Sequence, residues 1–213
     1  MQRRHPYQPA LDQARRDLTA LDPFVVAARA GTRLTGEAPE IGIELTYWGR
    51  DVAVRWPAAE VRSADNGTLP IAVQLVIMHY LISADGTPMA DRWLAFRELP
   101  DGRVYDPAFR RRACVPLARA FGEHPERFVA AAERLRGERL TYGGVSFMFR
   151  VLPRVHVAVI LYGQDEEFPA EANVHFDASV RHYLPIEDVA VLGGLVAGEL
   201  IRAQERDARE GAT

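Results

Sequence analysis

The residues best able to do chemistry cluster near the end of the chain. In DEEFPAEANVHFD, Asp165 to Asp177, three acids run into Phe-Pro, and a short apolar–polar alternation ends in His-Phe-Asp. If VHVAVILY (155–162) pairs antiparallel with NVHF (173–176) across that turn, His156 falls opposite Asp177 and Ala158 opposite His175. Alternation then sets His156, His175 and Asp177 on one face of a sheet. Imidazole and carboxylate together suit a divalent metal such as zinc, iron or manganese. They equally suit a general base with its orienting acid, as in a metal-assisted or acid–base hydrolase. The plainer reading is a hydrogen-bonded His–Asp pair at a sheet edge. A slip of one residue would reverse the faces, so the register is the point to test.

Other candidates are ligand-binding rather than metal-ligating. Asp165, Glu166 and Glu167 are carboxylates in a turn, solvated unless Phe168 acts as an apolar anchor that pins them. His182 follows closely, with Ser179 near it, but GGVSF is not the G-x-S-x-G elbow of a serine hydrolase. His79 and Tyr80 lie in the apolar run LPIAVQLVIMHYLIS. His79 reads either as a satisfied core residue or as the axial ligand of a flat apolar cofactor, a tetrapyrrole or corrinoid. Arg110-Arg111-Arg112 could hold an anion or form a solvated face that meets the acidic hairpin. Cys114 reads as buried and inert. Ala190, Gly194 and Gly198 share a helix face, for packing or for a homodimer.

Composition removes several chemistries. All 26 cationic residues are Arg. Without Lys there is no Schiff-base lysine and no G-x-x-x-x-G-K-[ST] phosphate loop. A single Cys excludes internal disulfides and a four-cysteine zinc or iron–sulfur site within this chain, and fits a reducing compartment. The formal net charge of −3 gives no bulk attraction to nucleic acid or anionic membrane. Charge is uneven, however: residues 1–34 carry six Arg against three Asp, and 163–188 carry seven acids against one Arg. No apolar run approaches a membrane span, and MQRRHPYQP lacks the apolar stretch of a signal peptide, so a cytoplasmic location is expected.

Positioning these residues requires a mixed set of elements. Pro9–Leu18 reads as a helix with Leu11, Ala14 and Leu18 inward. A second helix is capped by Asp22 and closed by Gly31. IGIELTYWGRDVAVRW reads as a hairpin about Gly49-Arg50. SADNGT is a loop, Leu69–Ser83 a buried central helix, RWLAFREL a strand and PDGRVY a turn. Helices over Asp106–Phe121 and from Pro125 to Gly137 follow. Strands at RLTY, VSFMFRVL, VHVAVILY and NVHF precede a last helix from Pro185 to about Arg209. This pattern predicts one α+β domain over 1–213, an antiparallel sheet packed against the buried central helix and flanking terminal helices, with 1–8 and 205–213 as frayed tails.

WLAFRELPDGRVYDPAF, LARAFGEHPERFVAAAERL and above all DEEFPAEANVHFDASVRHYLPIEDVAVLGG resemble the domain-of-unknown-function family numbered 3786, over roughly Leu69 to Leu200, with a looser N-terminal part. The resemblance implies an uncharacterised bacterial or archaeal protein of a family common in anaerobes. Some members carry a cysteine-rich iron–sulfur segment like those of corrinoid proteins. This chain departs there, so a partner would have to supply any such cluster. No functional residue carries over. The expectation is a cytoplasmic module that binds a small molecule or a protein partner, between the apolar helix and the sheet near the last hairpin.

Overall fold

The computed structural model describes residues 6–65 and 67–210. Helix α1 (Gln8–Thr19) buries Leu11, Ala14 and Leu18, the expected face. Helix α2 (Pro23–Ala30) begins where the Asp22 carboxylate accepts from Phe24 N at 2.8 Å and Val25 N at 3.4 Å. It ends at Gly31, whose φ of 64° is the left-handed turn that a residue without Cβ adopts cheaply.

Strands β1 (Arg33–Glu37), β2 (Glu40–Tyr47), β3 (Arg50–Trp56) and β4 (Glu60–Ser63) form an antiparallel meander in that order. The expected hairpin is β2–β3. Its two turn residues, Trp48 and Gly49, both have positive φ (51° and 68°), the backbone twist that a two-residue hairpin requires. Sequence reasoning missed the outer strands. β1 and β4 are short and largely polar, and only pairing with their neighbours makes them strands. Part of the expected SADNGT loop, Asn66, lies outside the described residues.

Helix α3 (Ile71–Ser83) has Val76, Ile77 and Met78 fully buried and packs against α1, α2 and the last helix. The expected strand at 92–99 is only β5 (Trp93–Ala95), followed by a 3-10 turn, Phe96–Glu98. The expected turn at 100–105 is already helical. Helix α4 spans Gly102–Arg112 and α5 Cys114–Phe121, so the single helix predicted over 106–121 is two, broken at Ala113. Pro116 explains the break: it has no N–H to bond the Arg112 carbonyl four residues back, and it falls in the first turn of α5, where that loss costs least. Helix α6 (Pro125–Arg134) leads to β6 (Glu138–Leu140), β7 (Val145–Leu152), β8 (Val155–Tyr162) and β9 (Glu171–Asp177). A second 3-10 turn, Ala178–His182, precedes α7 (Ile186–Glu210). The second sheet is antiparallel in order β5-β9-β8-β7-β6.

The chain is therefore α+β, as expected, but with two sheets instead of one. One continuous core joins them. Helix α7 runs through its middle, touching α3, α4, α5 and α6. On β7, β8 and β9, Phe147, Phe149, Val157, Val159, Val174 and Phe176 face this core and are buried. The alternate residues, among them Met148, His156, Ala158 and His175, share the other face. α1 begins at Gln8 and α7 persists through Glu210, so the helices reach into both expected tails; residues 1–5 and 211–213 lie outside the described residues. Among the described residues no helix is long and apolar enough to cross a membrane.

Candidate functional site

The last hairpin has the expected register. Ala158 pairs with His175 and Val157 with Phe176, and His156 sits opposite Arg150 on β7. By alternation His156, His175 and Asp177 do share a face, yet their side chains have separate commitments. The buried Asp177 carboxylate accepts from Ser179 Oγ at 2.6 Å and from the N–H groups of Ser179 (2.9 Å), Ala90 (3.0 Å) and Arg92 (3.3 Å). It fastens the 84–92 loop to the turn after β9. Burial works to raise its pKa, and these bonds outweigh burial, so the carboxyl titrates below the usual range. Burial lowers His175, whose Nδ1 is enclosed without a hydrogen-bond partner and whose ring meets the Tyr142 ring edge-on at 5.8 Å. His156 is lowered by burial and then by Arg150. Among the described residues no group of three His, Cys, Asp or Glu side chains is arranged to hold a metal ion. Sharing a face did not make the predicted trio a ligand set, because Asp177 turns along the strand end toward backbone donors.

His79 Nδ1 meets Asp188 Oδ2 at 2.5 Å, joining α3 to the first turn of α7. The bond to Asp188 raises the imidazole pKa, burial opposes it, and the charges of Asp188 and Asp17 add to the rise. A histidine raised in the folded state contributes stability that is full below the unfolded value of about 6.5 and is lost as pH climbs through the folded pKa. An NMR titration should therefore place His79 above the free-imidazole value, and Asp188→Asn should bring it down; an unmoved midpoint would break the assignment. Tyr80 is buried, donates its hydroxyl to Ala30 O and accepts from Arg154 N at 3.2 Å. Both residues, proposed as cofactor ligands, sit in a helix flanked by α1, α2 and α7.

The acidic turn is built by Asp165, whose carboxylate accepts from Glu167 N (2.9 Å) and Phe168 N (2.7 Å) while its own N–H donates to Phe168 O (3.0 Å). This is the local turn that a short carboxylate makes with backbone two and three residues on. The expectation that Phe168 anchors the acids is reversed: Asp165 pins the turn, and Phe168 stands 65% exposed at its tip. Glu166 and Glu167 are exposed beside it. An open concavity of about 730 Å³ adjoins the turn, lined among others by Val145, Tyr162, Asp165, Phe168 and Glu171. Tyr162, also exposed, completes an aromatic rim with Phe168. Gly143 (φ 67°) lets the rim close, because a Cβ there would lie 2.6 Å from Tyr162 Oη.

The sequence profile of the domain of unknown function DUF3786 matches residues 22–199. The chain belongs to the DUF3786 family. No curated protein and no solved structure matches. The DUF3786 stretch begins at Asp22, the cap of α2, and ends within α7, so it takes in both sheets and every candidate side chain described above. The first sheet thus falls inside the family stretch, where the resemblance is looser.

The remaining candidates divide clearly. Arg110 pairs with Glu171 at 3.0 Å and reaches Asn173 at 3.4 Å, so the basic helix does meet the acidic hairpin. Burial pushes the Cys114 thiol up to about 11, which leaves it inert. On α7 the tightly packed glycine is Gly193, against Phe109, while the space beside Gly194 is looser. His182 Nδ1 meets Asp85 Oδ2 at 2.7 Å. Asp85 itself is held down to about 2 by hydrogen bonds from Thr87 and then from His182. Asp85 was missed; the only local signal was its place two residues before Thr87 in a turn-forming ADGT.

Proposed function

We propose that this chain is a non-catalytic binding module that holds a protein partner at the acidic, aromatic end of its second sheet. The observation that carries the reading is Phe168, a large apolar side chain exposed on a turn that Asp165 keeps rigid. A pinned aromatic in water gains nothing for folding, and exposed apolar patches rimmed by polar groups mark interaction sites. Tyr162 enlarges the apolar area, and Glu166 and Glu167 are carboxylates with no internal ion pair among the described residues. Aromatic faces beside free carboxylates select a cationic segment, because guanidinium groups stack on the one and pair with the other. The partner is thus an arginine- or lysine-bearing strand or loop. A reducing compartment such as the cytoplasm suits a chain whose lone thiol is buried.

Phe168→Ala tests the reading. Its exposure predicts a folding change within about 0.5 kcal/mol, while loss of a central aromatic anchor costs about 2 kcal/mol or more of binding, roughly thirtyfold in Kd. Fluorescence anisotropy with labelled arginine-rich peptides should show that loss at unchanged melting temperature. Equal affinity of the two proteins, or no affinity in the wild type at low salt, would reject the acidic tip as the recognition surface.

A further inference from the structure

At the far end of β9 from the acidic turn, roughly 20 Å away along a seven-residue strand, lies a second concavity of opposite charge. It has a volume of about 540 Å³ between the 84–92 loop, β5 and the turn after β9, and is lined by Thr87, Arg92, Glu98, Ser179, Arg181 and His182 among others. Arg97 and Arg103 line an adjoining concavity that shares Glu98, Leu99 and Pro100 with it. Two arginines thus line the crevice and two more line its neighbour. Some exposed arginines of the chain find carboxylates: Arg33 pairs with Glu44, Arg62 with Glu60, Arg110 with Glu171 and Arg202 with Glu199. Among the described residues Arg92, Arg97, Arg103 and Arg181 are in no ion pair.

Asp101 lines the adjoining concavity with Arg97 and Arg103, while three other carboxylates nearby already accept hydrogen bonds. Glu98 accepts from Ala95 N at 2.7 Å, closing its own turn. Asp85 is held by Thr87 N at 2.9 Å and by His182. Asp177 lies beneath the crevice floor, saturated by four donors. Ser179 gives its hydroxyl proton to Asp177 and so has none for a ligand. His182 is oriented by Asp85, and its Nε2 accepts from Arg181 Nε at 3.3 Å. That chain, Asp85 to His182 to Arg181, parks one guanidinium at the crevice with its two terminal nitrogens unspent.

We propose that this crevice binds a phosphate group carried by a small molecule. Arg92 and Arg181 supply planar forks of N–H donors that match phosphate oxygens. This set exceeds what the two oxygens of a planar carboxylate accept and suits a tetrahedral dianion. Arg92 and Arg181 outnumber Glu98 among the charged side chains that line the crevice, which favours an anion. The volume admits a phosphorylated metabolite of modest size. Arg97 and Arg103 extend the field along the entry and favour ligands with more than one phosphate.

Isothermal titration of the whole chain with inorganic phosphate, pyrophosphate and acetate tests the assignment. Pyrophosphate should bind more tightly than phosphate, with acetate weakest. The double variant Arg92→Ala/Arg181→Ala should weaken pyrophosphate binding at least about tenfold, since each charged hydrogen bond is worth roughly 1.5–3 kcal/mol. Arg55→Ala removes the same charge from an exposed site on β3, in the first sheet, and should leave affinity within twofold. Circular dichroism confirms that the exposed-site variants fold. Absence of heat with pyrophosphate, equal weakening by Arg55→Ala, or acetate binding as tightly as phosphate would each overturn the proposal. Phe168→Ala should leave phosphate binding untouched, which keeps this site separate from the partner surface.

Discussion

Asp177→Ala is expected to lower folding stability by about 3 kcal/mol, among the largest losses available to one polar side chain in this protein. The carboxylate is only 2% exposed and organises four donors from three places in the chain. Alanine would strand Ser179 N and Oγ, both buried, at a cost of roughly 1–3 kcal/mol each when no water replaces the acceptor. Ala90 N and Arg92 N belong to exposed residues and can turn to solvent, which keeps the total below the sum of four. The pH dependence has a definite sign. Because the folded carboxyl titrates below its unfolded value of about 3.9, its contribution is full above that pH and disappears as pH falls through the folded pKa. Urea unfolding should thus separate wild type from Asp177→Asn at neutral pH and bring the two together in acid. A neutral-pH difference under about 1 kcal/mol would mean that the 84–92 loop is held by something other than this residue.

That anchoring also shows why some of the site was legible in the sequence and some was not. Strand alternation and the turn between 162 and 171 were enough to place Ala158 opposite His175, because a buried face tolerates no slip. Which residues share that face followed directly. What each side chain does there did not follow, since the partners are remote: Ala90 and Arg92 for Asp177, Asp188 for His79, Asp85 for His182. No spacing rule links residues about a hundred positions apart. The two sheets divide in the same way. β2 and β3 carry apolar alternation of their own, whereas β1 and β4 are strands only through pairing. Pro116 was an overlooked local signal, and it marks the α4–α5 break.

The glycines of α7 lead to the second large effect. Ala190, Gly194 and Gly198 fall on one face by spacing alone, but the glycine under pressure is Gly193, where a Cβ would lie 2.3 Å from Phe109 Cε2. Phe109 is 2% exposed, stacks on Phe96 at 4.3 Å with planes 8° apart, and tilts against Phe176 at 6.0 Å. It joins α4, α7 and the second sheet, so Phe109→Ala should cost about 3–5 kcal/mol through lost burial and the cavity left behind. Gly193→Ala should cost about 1–3 kcal/mol, because the ring must leave its stack to admit a methyl group. That loss runs against intrinsic preference, which favours alanine over glycine inside a helix by roughly 1 kcal/mol. The two changes are therefore coupled, and the coupling has a sign. In a Phe109→Ala background the clash is gone, and Gly193→Ala should turn neutral or stabilising. A double-mutant cycle by chemical denaturation reads this directly. If Gly193→Ala cost the same with and without the ring, the glycine would be answering to some contact other than Phe109, and α7 would not be placed by that stack.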